Sequence, residues 1–119
     1  IHTLNLSCTK VTDVSALGQI HTLNLSCTKV KDIFALGRVH NLNLNRTYVT
    51  DVSSLNGVHT LDLSCTHVSD VSALGQIHNL DLSWTKIIDK SHNDRDIQVS
   101  DIQNLSNVCR IFINNKIKY

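Results

Sequence analysis

The amino-acid sequence repeats itself every 19 residues. The unit Ile1 to Gln19 returns nearly intact at Ile20, Val39, Val58 and Ile77. A unit this short cannot bury its own apolar face, so successive units must stack. Residues one period apart then become neighbours across a strand spacing of about 4.8 Å. The repeat therefore predicts a solenoid whose stability is nearly additive over its turns.

Apolar residues occupy fixed places in every turn. Leu23 and Leu25 alternate with the polar Thr22 and Asn24, which is the pattern of a short strand with one face inward. These strands stack in parallel because the chain direction repeats, and segments such as Leu36 to Arg38 supply the return turn. We predict an α/β-class repeat solenoid with one parallel sheet, loops and tight turns on the other face, and little helix.

The unit L-x-L-x-x-T-x-V-x-D-V-x-x-L-x-x-V-x-x, as in Leu4 to Thr22, resembles the leucine-rich repeat, in particular the internalin-like short class. The 19-residue turn is shorter than that family's usual range of about 20 to 29 residues. Thr9 and its equivalents also replace the family's Asn. The V-H-T-L-x-L-S form of the turn is similar to leucine-rich proteins of large DNA viruses, a resemblance that assigns no role.

The repeats divide the chain into three parts. We assign residues 1–89 to regular leucine-rich repeats, 90–101 to a polar insertion, and 102–119 to a final divergent repeat and C-terminal cap. Ile111 to Ile113 is predicted as the last strand. The chain begins inside a repeat without Met, and no equivalent cap precedes Ile1. The N-terminal sheet edge is thus either covered by further residues or available for pairing with another chain.

Charge and hydropathy argue against several classes of protein. The net charge is +1 with Lys and Arg spread over the turns, which argues against a nucleic-acid-binding face or a polybasic membrane anchor. No apolar run approaches the roughly 18 residues that span a bilayer. We therefore expect neither a nucleic-acid nor a membrane partner.

The cysteines lack the close pairs of a zinc signature. Cys8 and Cys27 lie in neighbouring turns, but their parallel side-chain vectors disfavour a disulfide. Unpaired cysteines favour an intracellular compartment, although the sequence leaves the compartment open.

Two polar columns are predicted to be structural. The Thr column is expected to satisfy backbone groups of adjacent turns, as the family's Asn does. The Asp column is expected to accept backbone N–H bonds at the start of the following turn, with a metal site as the weaker alternative. The two columns are Thr9, Thr28, Thr47, Thr66, Thr85 and Asp13, Asp32, Asp51, Asp70, Asp89.

A histidine column precedes the strands. Its imidazoles either hydrogen-bond in a neutral file, bind a transition metal, or contact a partner; strict repetition favours packing over metal. Nothing in the sequence sets a Ser or Cys against a His and an orienting carboxylate, so we predict no catalytic, cofactor-binding or metal residues. The column is His2, His21, His40, His59 and His78.

Positions at which the residue differs between repeats are the candidates for partner contact, because the stacking of the turns does not determine the residue there. Arg, Tyr and Trp are enriched at binding hot spots, and the strand column turns from Asn to Asp toward the C-terminal half. Drift on a solvated face is the alternative explanation. The predicted partner-binding residues are Asn43, Arg46, Tyr48, Asp62, Asp81 and Trp84.

The sequence thus predicts a non-enzymatic protein-interaction module that binds a protein partner of unknown identity on its strand face. Rigid parallel strands present preorganised side chains, which lowers the ordering cost of association. The alternative is a structural or self-assembling solenoid that stacks through its N-terminal edge.

Overall fold

The computed structural model describes residues 2–55, 57–69, 71 and 74–88, together with the strands 94–96, 110–113 and 116–117. Short strands recur along this part of the chain, with one 3₁₀ helix at Phe34–Leu36. The strands are β1 (Thr3–Asn5), β2 (Thr22–Asn24), β3 (Asn41–Asn43), β4 (Thr60–Asp62), β5 (His67–Val68), β6 (Asn79–Asp81), β7 (Lys86–Ile88), β8 (Asp94–Asp96), β9 (Arg110–Ile113) and β10 (Lys116–Ile117).

Seven of the described strands form the main sheet, in the order β1-β2-β3-β4-β6-β9-β10. The first five pair in parallel with a shift of one repeat, so that Leu23 lies beside Leu42 and Leu61 beside Leu80. The structure is therefore the predicted parallel solenoid with almost no helix. The strand predicted at Ile111 to Ile113 is present in β9, but it is not the last, because β10 pairs with it antiparallel.

A second sheet of β5, β7 and β8 departs from the expectation of a single sheet. β5 and β7 pair in parallel beyond the end of the main strands, and β8 pairs antiparallel with β7. β8 lies in the polar segment that the sequence analysis assigned to an insertion. The rest of the predicted insertion and most of the final repeat lie outside the described residues, so that domain division stays a prediction.

The core is a column of aliphatic side chains inside the turns. Strands β2, β3, β4 and β6 each point their middle leucine inward. Leu23, for example, is 1% exposed, while its neighbours Thr22 and Asn24 are half-buried. The return segment closes by i→i+3 backbone bonds, in which Leu36 N–H donates to Ile33 O at 3.0 Å and Val39 N–H to Leu36 O at 3.1 Å. Such tight turns explain how a 19-residue unit completes a turn without an α-helix.

Successive return turns approach each other so closely that glycine is required. A Cβ atom added to Gly37 would lie 2.5 Å from the carbonyl oxygen of Ser54, and one added to Gly18 would lie 2.5 Å from that of Ala35. Both contacts are with backbone atoms of the next turn, which cannot move aside without disturbing the stack. The glycines are therefore set by turn-to-turn packing, since neither has a positive φ.

The Thr column is buried except at Thr9, but its partners differ from those predicted. Thr28 Oγ1 donates to Leu25 O at 2.7 Å and Thr47 Oγ1 to Leu44 O at 2.8 Å, both within one turn. Thr85 alone among the described threonines of this column reaches the preceding turn, donating to Leu63 O at 2.7 Å. The expectation of ties between adjacent turns is thus wrong for most of the column. In most of the column, the threonine hydroxyl donates to the carbonyl oxygen three residues earlier and so stays within its own turn.

The Asp column acts on the backbone as predicted where it is described. Asp13, Asp32 and Asp51 each accept a bond at Oδ1 from the backbone N–H two residues later, at 3.0, 3.1 and 3.0 Å. The backbone bond from Ser15 lowers the pKa of Asp13, and bonds from the Ser53 side chain and backbone lower that of Asp51. The remaining members, Asp70 and Asp89, lie outside the described residues.

Candidate binding surface

The outward side chains of β2, β3, β4 and β6 line a continuous groove along the strand face. Its volume is about 410 Å³. The polar lining comes from residues on either side of each inward leucine, so the L-x-L alternation itself builds the surface. These residues are Thr22, Asn24, Asn41, Asn43, Thr60, Asp62, Asn79 and Asp81.

Three of the predicted partner-binding residues, Asn43, Asp62 and Asp81, lie in this groove. Each is half-buried and also closes a turn at the end of its strand. Asp62 Oδ1 accepts the Ser64 N–H at 2.8 Å, and the equivalent bonds at Asn43 and Asp81 are both 2.9 Å. This column therefore has a structural role that the sequence analysis missed, and its Asx-turn pattern of Asn or Asp at strand ends was the available signal.

Arg46 and Trp84 share an unusual backbone conformation. Their φ angles are 57° and 60°, in the left-handed region, and Cys8, Cys27 and Cys65 of the same column have φ between 57° and 58°. This conformation costs residues other than Gly and Asn roughly 1 to 2 kcal/mol. The sequence gives no hint of it, because the column contains neither Gly nor Asn.

Arg46, Tyr48 and Trp84 are not among the residues that line the groove; they follow the strand ends. All three are exposed, Tyr48 by 55% and Trp84 by 60%. The third large exposed apolar side chain in the described part of the chain, Phe34, is 76% exposed and lies in the return segment instead. The six predicted residues therefore fall into two neighbouring groups rather than one patch.

The five histidines of the histidine column form a continuous stack of rings along the other end of the strands. Successive ring centroids are 4.3, 4.7, 4.5 and 4.6 Å apart, and neighbouring rings are within 19° of parallel. The rings face one another, which replaces the hydrogen-bonded file considered above.

Hydrogen bonds to threonine anchor two rings of this stack. Nδ1 of His21 lies 3.0 Å from Thr22 Oγ1, and Nδ1 of His59 lies 3.0 Å from Thr60 Oγ1. Desolvation, followed by repulsion from the flanking imidazoles, lowers the pKa of both histidines. These lowered pKa values keep His21 and His59 neutral at neutral pH.

Metal and membrane features were sought in the described residues. In them, no group of three or more His, Cys, Asp or Glu side chains has a metal-binding arrangement. No helix there has the length and apolar character to cross a membrane.

Comparisons with solved structures identify the fold. The chain is similar to internalin C2 of Listeria monocytogenes, with a TM-score of 0.68 and 25% identity over 95% of this chain and 51% of that one. It is also similar to internalin InlF of the same organism, with a TM-score of 0.68 and 20% identity over 97% of this chain and 41% of that one. The functional domain of L. monocytogenes InlJ, described as including a cysteine ladder, gives a TM-score of 0.52 and 17% identity over 93% of this chain and 30% of that one.

The fold is thus an internalin-like leucine-rich-repeat solenoid, a type of scaffold typical of protein interaction. No family model and no curated protein matches the sequence. The chain spans about half or less of the length of these structural neighbours. The similarity to leucine-rich proteins of large DNA viruses stays a prediction.

Proposed function

We propose that this protein is a non-enzymatic interaction module that binds a protein partner on its strand face. The observation that carries the proposal is the open groove of about 410 Å³ across four parallel strands. Its lining combines outward polar side chains with the strand leucines Leu23, Leu42, Leu61 and Leu80. The strands hold these side chains in fixed positions, so little further ordering is needed on association.

The contact residues that we propose are Arg46, Tyr48 and Trp84 beside the groove, and Asn43, Asp62 and Asp81 within it. Exposed Trp, Tyr and Arg side chains are the types that contribute most to protein interfaces when a partner covers them. The two carboxylates sit on neighbouring strands, where Asp62 pairs with Asp81. This acidic end of the groove favours a partner that presents basic residues.

The test is affinity capture with the immobilised chain, followed by titration of the captured protein. A variant with Arg46→Ala and Trp84→Ala should lose about 2 kcal/mol or more of binding free energy if these residues are hot spots. Alanine keeps a side chain at the left-handed positions, so the backbone strain there is nearly unchanged.

Phe34→Ala is the matched control, because it removes an exposed aromatic side chain from the return segment, away from the groove. It should leave binding unchanged. Equal binding by the wild type, the double variant and the Phe34→Ala variant would contradict the proposed surface.

Self-association through the N-terminal sheet edge stays a prediction. Light scattering before and after adding a polar capping turn ahead of β1 tests it, since a cap removes the backbone partners that a second copy would use.

A further inference from the structure

Cys8 and Cys27 occupy the same position in consecutive turns. Their φ angles are 57° and 58°. The backbone N–H of Cys8 donates to Ser26 O at 2.9 Å, and that of Cys27 donates to Asn45 O at 2.8 Å. Identical backbone geometry makes their Cα–Cβ bonds parallel, offset by one strand spacing of about 4.8 Å.

Both side chains are free thiols on the surface. Because both side chains are exposed and their Cα–Cβ bonds are parallel, the two thiols face the same solvent region.

This spacing suits a bridging cation better than a disulfide. A disulfide requires the two sulfurs to be about 2 Å apart, with Cβ atoms about 3.8 Å apart, which parallel side chains one strand spacing apart do not reach without backbone movement. A linear sulfur–metal–sulfur unit with bonds of about 2.3 Å, the zinc–thiolate length, spans about 4.6 Å, close to the strand spacing.

We propose that Cys8 and Cys27 together bind one soft monovalent cation of the Cu(I) type. Thiolates select such ions over harder divalent cations. On binding, each thiol releases a proton and each sulfur donates a lone pair to the metal, so two protons leave and no electron is transferred. Affinity therefore rises with pH. The sequence analysis predicted no metal site at the cysteines, because for these residues it considered only zinc spacings and disulfides.

The rest of the column limits the site to these two residues. Arg46 occupies the next turn, and Cys65 follows one turn later, about two strand spacings from Cys27. In the described residues, no third His, Cys, Asp or Glu completes a metal-binding group. Two-coordinate binding is what a soft monovalent ion accepts and zinc does not.

The experiment is an anaerobic titration of the reduced chain with Cu(I) in competition with a chromogenic Cu(I) chelator. A background with Cys65→Ser and Cys109→Ser removes the other two thiols. We expect one Cu(I) per chain in this background, weaker binding as the pH falls, and two sulfur ligands by X-ray absorption. Zn²⁺ at the same concentration should not displace the bound Cu(I).

Cys8→Ser or Cys27→Ser in that background should abolish stoichiometric binding, whereas Cys65→Ser alone should leave it intact. Alkylation of the folded background variant with iodoacetamide should have the same effect as the serine changes without altering the sequence. Retention of Cu(I) after either treatment, or rapid closure of an intramolecular disulfide with oxidised glutathione, would overturn the proposal.

Discussion

The hydroxyl of Thr28 donates a hydrogen bond of 2.7 Å to the carbonyl of Leu25, three residues earlier in the same turn. Thr28 is 2% exposed, so water has little access to that bond. The bond closes the corner between the strand and the following segment. This bond explains why threonine is sufficient at this position of the short repeat, because its hydroxyl bonds to a carbonyl only three residues earlier in the same turn.

Thr28→Val should therefore destabilise the protein by about 1 to 3 kcal/mol, because it keeps the shape and leaves a buried carbonyl without its partner. Thr9→Val is the control. Thr9 makes the same bond to Leu6 O at 2.6 Å but is exposed, so water can replace it at smaller cost. Denaturant midpoints would compare the two, and equal midpoints for wild type and Thr28→Val would show that the hydroxyl is dispensable.

Much of the fold was predictable because the repeat determines the pairing. A 19-residue period with an L-x-L strand fixes the register in which Leu23 pairs with Leu42, and apolar spacing then selects the inward face. The second sheet was not predictable in this way. β8 is the polar segment Asp94–Asp96, and its antiparallel pairing with β7 leaves no trace in the hydrophobic pattern.

The candidate site was only partly predictable for a related reason. Variation between repeats drew attention to Arg46 and Trp84 but could not reveal that their backbone is left-handed, since side-chain identity there gives no sign of it. Asn43, Asp62 and Asp81 were selected as contact residues from the same variation. Their bonds to the backbone were signalled by the Asn or Asp that every repeat carries at the strand end, and a search for variation between repeats passes over such a constant feature.

The left-handed column leads to a second prediction. Arg46→Gly should be more stable than Arg46→Ala by up to about 1 kcal/mol, because glycine adopts φ near 57° without the Cβ penalty, partly offset by its greater freedom when unfolded. Thermal melts of the two variants decide it. The same pair of changes at Lys29, where φ is not positive, should show the opposite order.

The histidine stack predicts a loss of stability in mild acid. The pKa values of His21 and His59 are lowered from 6.5 in the folded chain, mainly by desolvation and then by neighbouring imidazoles. The unfolded chain therefore binds more protons than the folded one just below that value. Neutral His21 and His59 therefore contribute fully to the free energy of unfolding above pH 6.5. This contribution is lost as the pH falls from 6.5 toward their lowered pKa in the folded chain.

Melting temperature measured from about pH 8 to pH 5 should fall toward the acid end. A variant with His21→Gln and His59→Gln should lose most of that slope. Asp13 and Asp51 act in the same direction, but only near and below their ordinary pKa of 3.8, so the two effects separate on the pH axis. If the melting temperature of the glutamine variant still falls with pH as it does in the wild type, groups other than His21 and His59 cause the loss of stability.

The same stack should not bind zinc. Imidazole lone pairs lie in the ring plane, and in rings stacked 4.3 to 4.7 Å apart they run side by side instead of converging on one ion. Zn²⁺ should thus raise the melting temperature no more than Mg²⁺ does, since only a ligand bound to the folded state stabilises it. Saturable stabilisation by Zn²⁺ that disappears in a variant with His40→Ala and His59→Ala would be the contrary result.

The last prediction separates the structural role of Asp62 and Asp81 from their proposed contact role. Asn43 makes the same turn with an amide oxygen that Asp62 makes with a carboxylate, at 2.9 and 2.8 Å. Changing both aspartates to Asn should therefore preserve the turns and alter stability by less than about 0.5 kcal/mol. Changing both to Ala should cost about 1 kcal/mol for each lost bond.

If a basic partner binds at this end of the groove, the Asn variant should also bind more slowly and with weaker dependence on salt, because removing interface charge acts chiefly on the association rate. Surface plasmon resonance at two ionic strengths, read beside the melting curves, measures both effects. If neither the stability nor the salt dependence of the association rate changes, the two carboxylates act only in the turns. The partner contact would then lie on Arg46, Tyr48 and Trp84.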